Sequence, residues 1–336
     1  MLKFGLVSVF PPAAAALNRL RLAEELGFDY FWVCDSHVIW NECYTLLGWL
    51  VANGRRSDMR FGTMVTNPAS RDPIVIASAF ATLNQISGGR VECGIGRGDS
   101  AVRVLNRRPS TVAETEAGVS LIRTLGSGRS MAIDGATVQI DWADGGQLPV
   151  HVAAYGPRMF EVAGRVGDGV IFGCADLHYI AWALTHVRRG AEQAGRDLKD
   201  LAVMCCTAIY ISEDINYARD QVRSLGAVIG NQIADVLRNS GAAGVPAELA
   251  AMVQDRGEYD YLRHMKKAAH ADYVSDDIVD RLCIVGTATE CVQRLTALAD
   301  AGVTHMNFLD QQEDFDGQMR TFAREVMPSI RRQVLK

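Results

Sequence analysis

Residues Gly62–Ser100 read GTMVTNPASRDPIVIASAFATLNQISGGRVECGIGRGDS, and each joint in that stretch has a physical marker. Pro68 has no amide hydrogen to give a sheet ladder, so a strand that starts near Gly62 stops by Asn67. Asp72 is a candidate N-cap, and Pro73 falls where the first turn of a helix tolerates a missing N–H. Apolar residues at Ile74, Ala77, Phe80, Ala81 and Leu83 carry a helix that Gly88 and Gly89 close, and Arg90 to Ile95 is a second apolar strand. Strand, crossover helix and strand form a parallel unit, and in open sheets and barrels alike the ligand gathers at the carboxyl ends of such strands. Here those ends are Val65-Thr66-Asn67 and Gly96-Arg97-Gly98-Asp99, and the chemistry is expected there.

The same alternation runs outward in both directions. Upstream, a strand from Lys3 ends at Val9-Phe10-Pro11, a helix of Ala13 to Leu26 is closed by Gly27, and Phe28 to Cys34 is an aromatic-rich strand before a helix around Tyr44 to Ala52. Downstream, helices are expected at Val112 to Leu125, Met159 to Arg165, Leu177 to Ala194, Glu290 to Ala301 and Phe315 to Val334. Strands are expected at Leu148 to Ala154, Gly169 to Phe172, Leu201 to Ile211 and Thr304 to Leu309, with a small hairpin around Asp134-Gly135 outside the repeat. From Ser212 to Asp280 the rhythm gives way to a mostly helical stretch without an obvious strand, read as a cap or an interface inserted after strand 7. Eight regularly spaced βα units favour a closed (β/α)8 TIM barrel over an open doubly wound sheet, and residues 1–336 read as a single domain.

Composition narrows the function classes. The chain has 336 residues, 49% of them apolar, enough for one large core, and a formal charge of −5 with scattered basic residues gives no nucleic-acid face. The start MLKFGLVSVF runs into Pro11 and Pro12 too soon for a signal peptide, and no run reaches the length of a membrane span. Eight cysteines without a C-x-x-C pair suggest a reduced, cytoplasmic protein with no zinc site.

Three motifs carry candidate chemistry. Gly94-Ile95-Gly96-Arg97-Gly98-Asp99 is a poor dinucleotide fingerprint, because its third glycine comes one residue early and no helix is expected directly after it; its glycines either relieve crowding at a rim or let backbone approach a flat ligand. Tyr155-Gly156-Pro157-Arg158 lies between a strand and a helix start, either an ordinary tight loop or a phosphate site made of backbone amides and one fixed cation. Asp35-Ser36-His37, with Trp40 nearby, ends the second strand and holds groups suited to proton transfer. The remaining histidines form no H-x-H or H-x-x-x-H pair, which disfavours a metal-dependent barrel.

With these residues in view the chain resembles the luciferase-like superfamily of flavin- and deazaflavin-dependent oxidoreductases. The likeness is strongest near the methylenetetrahydromethanopterin reductase branch and the deazaflavin-dependent alcohol and sugar-phosphate dehydrogenases. The pieces that carry it are Gly62–Pro68, Ala81–Arg90, Gly94–Asp99 and Ala153–Arg158, in that order. The resemblance implies a ring at the carboxyl ends of the strands, backed by a third-strand bulge with a non-prolyl cis peptide at Met64-Val65. It implies Thr66 and Asn67 at the ring edge, Asp35 and Gly96 beside it, and Tyr155, Gly156, Pro157 and Arg158 at the phosphate. Asp35, Trp40 and Asp99 match the pattern of the sugar-phosphate dehydrogenases, whereas Ser36 stands in place of their histidine and His37 lies one residue later, so either could hold the substrate oxygen. The expected activity is hydride transfer between F420 and a small organic substrate. An FMN-dependent monooxygenase and a non-catalytic flavin-binding protein are the alternatives, and a homodimer is the expected assembly.

Overall fold

The computed structural model describes residues 2–9, 12–143, 145–241, 245–266 and 268–333. Its barrel strands are β1 (Lys3–Ser8), β2 (Tyr30–Val33), β3 (Arg60–Thr66), β4 (Val91–Ile95), β7 (Val150–Ala153), β8 (Gly169–Phe172), β9 (Ala202–Thr207) and β12 (His305–Leu309). All pair in parallel, and β12 returns to β1 with Lys3 opposite His305, so the expected (β/α)8 barrel closes. The expected hairpin is β5 (Met131–Ile133) against β6 (Ala136–Val138), turning at Asp134 and Gly135, both at positive φ.

The organising unit folds as its markers require. Asp72 Oδ1 accepts the Ile74 amide at 2.7 Å, Pro73 opens α3 (Pro73–Ser87), and Gly88 ends it in the left-handed conformation. Strand β3 bulges between Thr63 and Thr66 where it pairs with β4, and the Met64-Val65 peptide is cis. Two glycines make that approach possible: a Cβ on Gly94 would run into the Thr63 carbonyl, and one on Gly62 into the Glu92 carbonyl.

The other helices wrap the barrel: α1 (Ala13–Leu26), α2 (Cys43–Asn53), α4 (Ser100–Arg103), α5 (Val112–Leu125), α6 (Pro157–Val166), α7 (Leu177–Gln193), α11 (Ala288–Asp300), α12 (Phe315–Thr321) and α13 (Met327–Gln333). Trp32, Phe4, Phe61, Phe172 and Phe308 are fully buried in one core that joins barrel and helices. The insertion after β9 carries α8 (Ile215–Ser240), α9 (Ala247–Ala251) and α10 (Asp276–Leu282).

Several expectations are corrected. The run Leu201–Ile211 splits into β9 and β10 (Ile209–Ile211), and β10 leaves the barrel to pair in parallel with β11 (Ile284–Gly286), a strand the sequence reading missed. One continuous apolar run cannot reveal where a strand changes partner. Helix α4 starts directly after Asp99, where none was expected, because its single turn is too short to leave a periodic signature. The closing helix is broken by a wider π-type turn over Phe322–Val326. Phe10, Pro11 and Val334, named in the sequence reading, lie outside the described residues.

Candidate active site

One cavity opens at the carboxyl ends of the barrel strands, and the sequence-expected residues converge on it with one exception. Its floor is the β3 bulge: Met64, Val65 and Thr66 line it beside Gly96, Ile171 and Cys206. Asp35 and Ser36 enter from the end of β2, Asp99 from the end of β4, and Tyr155 to Arg158 from the start of α6. Trp40 also lines it, its ring centroid 5.8 Å from that of His264. His37 is the exception. It is exposed and absent from the cavity wall, because the chain turns just beyond β2 and directs the buried Ser36 inward instead.

Asp35 is the most constrained group. Its side chain is 0% exposed, and Oδ2 accepts from Thr66 Oγ1 at 2.8 Å and from Arg71. Arg71 also holds Glu42 and lies 4.4 Å over the Tyr44 ring, and Tyr44 Oη meets Thr66 Oγ1 at 2.7 Å. Oδ1 of Asp35 has no hydrogen-bond partner among the described residues. A buried carboxylate oxygen of this kind calls for a donor that the protein itself does not supply. Ser36 Oγ meets Ser100 Oγ at 2.5 Å, which ties the end of β2 to α4.

Asp99 sits where α4 begins. Its Oδ1 faces Arg103 Nε at 3.1 Å and accepts from Tyr261 Oη at 3.1 Å, and Tyr261 is itself held by Asn231 Nδ2 at 2.8 Å. Burial raises the carboxyl above its ordinary value, against the pull of Arg103 and Tyr261. It therefore retains a proton to higher pH than a solvated aspartate does.

Asn67 uses its Oδ1 to accept the Ala69 and Ser70 amides at 3.1 and 2.9 Å, which turns the chain sharply after β3. At the far end, Gly156 caps α6 and Pro157 opens it, and a Cβ on Gly156 would come within 3.0 Å of Val236. Arg158 stands beside this helix start, and Arg97 lines the same cavity with its Nε on the Ser110 carbonyl at 2.6 Å. Neither guanidinium has a carboxylate at ion-pair distance among the described residues, and burial together with Arg103 and Arg158 lowers the Arg97 pKa.

The sequence leads one to expect that the insertion shapes the substrate pocket through Tyr259, Tyr261, Arg263 and His264, and the insertion does supply part of the wall, His264 included. Tyr261 and Asn231 reach Asp99, and His264 packs on Trp40 with Nδ1 2.8 Å from Tyr259 Oη. Burial lowers the His264 pKa to about 3, so this imidazole is neutral. Tyr259, Tyr261 and His264 pack as one aromatic cluster, whereas Arg263 is exposed and absent from the cavity wall.

A family model described as luciferase-like monooxygenase matches residues 5–305. The 5,10-methylenetetrahydromethanopterin reductase of Methanolobus tindarius is 29% identical over 305 residues, covering 88% of this chain and 90% of that protein. The F420-dependent glucose-6-phosphate dehydrogenase of Beutenbergia cavernae is 31% identical over 337 residues, covering 92% and 91%. In solved structures the same fold recurs in the F420-dependent tetrahydromethanopterin reductase of Methanopyrus kandleri, with a TM-score of 0.77, 21% identity and coverage of 98% and 99%. An F420-dependent secondary alcohol dehydrogenase in complex with an F420-acetone adduct gives 0.77, 20%, 98% and 99%.

Proposed function

The chain belongs to the luciferase-like monooxygenase family, and from that premise we propose an oxidoreductase that binds coenzyme F420 and passes a hydride between it and a small organic substrate. The observation that carries this reading is the cavity over the β3 bulge, in which Asp35 Oδ1 lacks a partner among the described residues and burial raises the Asp99 carboxyl above its ordinary value. The residues present suit a flat ring with a phosphate-bearing chain. Val65, Ile171 and Cys206 offer an apolar bed, Asp35 Oδ1 and Gln232 Oε1 are buried acceptors without partners among the described residues, and Arg97 and Arg158 await an anion beside the α6 start. In this reading Met64, Val65, Thr66, Asn67 and Gly96 hold the ring, and Tyr155 to Arg158 hold the phosphate.

When bound, a deazaflavin supplies a carbon that gives or takes a hydride without activating oxygen. The chain supplies the rest. Asp35, fixed by Arg71 and Thr66, orients the ring edge through its open oxygen. Ser36, held by Ser100, holds the substrate oxygen, and Trp40 with His264 closes that side against water. Asp99 gives its proton to the substrate oxygen as a carbonyl is reduced, and takes it back in the reverse direction. Raising the pH therefore slows reduction and favours oxidation. The test is to mix the protein, loaded with reduced F420, with small ketones and imines in the absence of oxygen. Return of the oxidised cofactor's absorbance in the wild type and its loss in Asp99→Asn support the reading, and equal rates in both refute it.

A second reading, an FMN-dependent monooxygenase, is favoured by the family description itself. Oxygen consumption coupled to substrate turnover with FMN separates it from the first.

The assembly we propose is a homodimer joined through α2 and α3. These helices carry no charged residue along their length and expose Trp49, Val75 and Ile86. The cytoplasm is the proposed compartment, supported by eight free, buried cysteines. No helix among the described residues is long and apolar enough to cross a membrane.

A further inference from the structure

An acid that gives up its proton at each turnover has to be supplied with another, and Asp99 is poorly placed to take one from bulk water. Its side chain is 29% exposed, and that exposure faces the cavity, because Asp99 lines the cavity and not the open groove beside it. A ring and a substrate lying over the β3 bulge would cover it. The acid is then cut off from solvent during the step that uses it.

Two side chains join Asp99 to that groove, which runs between the stretch after α4, helix α8 and the insertion. Arg103 lines both spaces, with Nε 3.1 Å from Asp99 Oδ1 and Nη2 on Asp235 at 2.8 Å. A guanidinium does not give up its proton in proteins, so Arg103 fixes the carboxylate and cannot refill it. Tyr261 lines the groove but not the cavity, is half-buried, and donates its hydroxyl hydrogen to the same Oδ1 at 3.1 Å. Asn231 Nδ2 donates to Tyr261 Oη at 2.8 Å and takes one lone pair, which leaves a second for a water of the groove.

We propose that Tyr261 relays protons between the groove and Asp99 while the cavity is filled. The inference rests on the reading of Asp99 as the acid and gives that acid its supply. In the reducing direction the hydride adds to the carbonyl carbon and the carbonyl π pair moves onto oxygen. The Asp99 O–H bond breaks as a new O–H bond forms on that oxygen. Tyr261 then passes its hydroxyl proton to the Asp99 carboxylate and takes another from the water of the groove, so the net change is one proton drawn from solvent. Oxidation runs the same chain backwards. Burial and the Asp99 charge raise the Tyr261 phenol above its ordinary value, so it hands a proton on without resting as a tyrosinate.

The other ionisable groups around the pair stay out of the exchange. Asp235 on α8 is held as an ion pair by Arg103 and Arg238. Burial raises Tyr155, before α6, and Tyr259, in the insertion, and it keeps His264 neutral.

A pH jump in the filled site tests the relay. Protein, reduced F420 and a small ketone are mixed without oxygen at about pH 9, where Asp99 is ionised and reduction stalls, and are then brought to about pH 6 while the cofactor's absorbance is followed. After the jump Tyr261→Phe is expected to react about tenfold more slowly than wild type, with added imidazole restoring the rate. When the variant is first equilibrated with reduced F420 at the lower pH and the ketone is added last, it is expected to match wild type, because Asp99 has taken its proton through the open cavity. Equal rates after the jump, absence of rescue, or a loss of the same size in both orders of addition overturns the relay. In wild type the rate after the jump, plotted against the deuterium content of the solvent, is expected to bow, because two O–H bonds break together; a straight line also overturns the relay. No oxidation of reduced F420 by either protein in either order overturns the reading of the site itself, and the relay with it.

Discussion

The two ends of the barrel use the same residue types and treat them differently. At the amino ends of the strands, Glu92, His151, Tyr30, His305 and Arg60 occupy the first or second position of five barrel strands. Glu92 accepts from Arg60, meets His151 Nε2 at 2.7 Å and takes the Tyr30 hydroxyl at 3.3 Å. His305 meets Tyr30 at 3.3 Å and Thr304 Oγ1 at 2.7 Å, so of the fully buried polar side-chain atoms in this set only His151 Nδ1 lacks a partner among the described residues. These partners outweigh the cost of burial and hold the Glu92 carboxyl well down, to about 2. At the carboxyl ends Asp35 keeps an open oxygen, and burial dominates Asp99 and raises it. Where the protein satisfies its buried charges it gains a rigid plug, and where it leaves them short it gains a place for a ligand.

That contrast can be broken by substitution. Glu92→Ala strips the plug of its one anion and leaves Arg60 and His151 facing an apolar void, so chemical denaturation is expected to show a loss of about 3–5 kcal/mol. Acid acts on the same end. The folded-state pKa of Glu92 lies below its unfolded value, and burial lowers His305 to about 3, so both contribute stability that is present above their unfolded values and lost as the pH falls. Stability measured from pH 7 down to 2 is expected to fall in two stages, starting near pH 6.5 for His305 together with the equally depressed His264 of the insertion, and steepening below about 4.5 for Glu92, with the Glu92 stage worth about 3 kcal/mol.

At the other end the same kind of change is expected to spare the fold and remove the proposed chemistry. Asp99→Asn is expected to cut hydride-transfer rates about a hundredfold while stability stays level or rises by up to about 1 kcal/mol, because burial already disfavours the charge. A matching loss of stability would place Asp99 with the plug rather than with the site. The smallest effect belongs to His37→Ala. That side chain is exposed outside the cavity, so unfolding free energy is expected to move by less than about 0.5 kcal/mol with turnover unchanged.

The barrel was legible because its signals are local. Pro68, Asp72-Pro73 and Gly88-Gly89 each mark a joint within a few residues of where it falls. The rim motifs were legible for the same reason, since carboxyl-end loops follow their strands directly. Two kinds of fact stayed hidden. Ser36 and His37 are neighbours in sequence, and which of them turns inward depends on a bend past β2 that carries no compositional mark. Tyr261 meets Asp99 across 162 residues. Such pairings arise only once the barrel has closed and the insertion has folded back over its mouth. The amino-end network was equally invisible, because His151 and His305 look like isolated histidines until strand register brings them to Glu92 and Tyr30.

The most direct test of the central claim is an equilibrium titration of the purified protein with F420 and, separately, with FMN, followed by fluorescence and by oxygen uptake. Saturable binding of F420 at one site per chain, tighter than that of FMN and without oxygen consumption, is the predicted result. Tighter binding of FMN together with substrate-dependent oxygen uptake would contradict it.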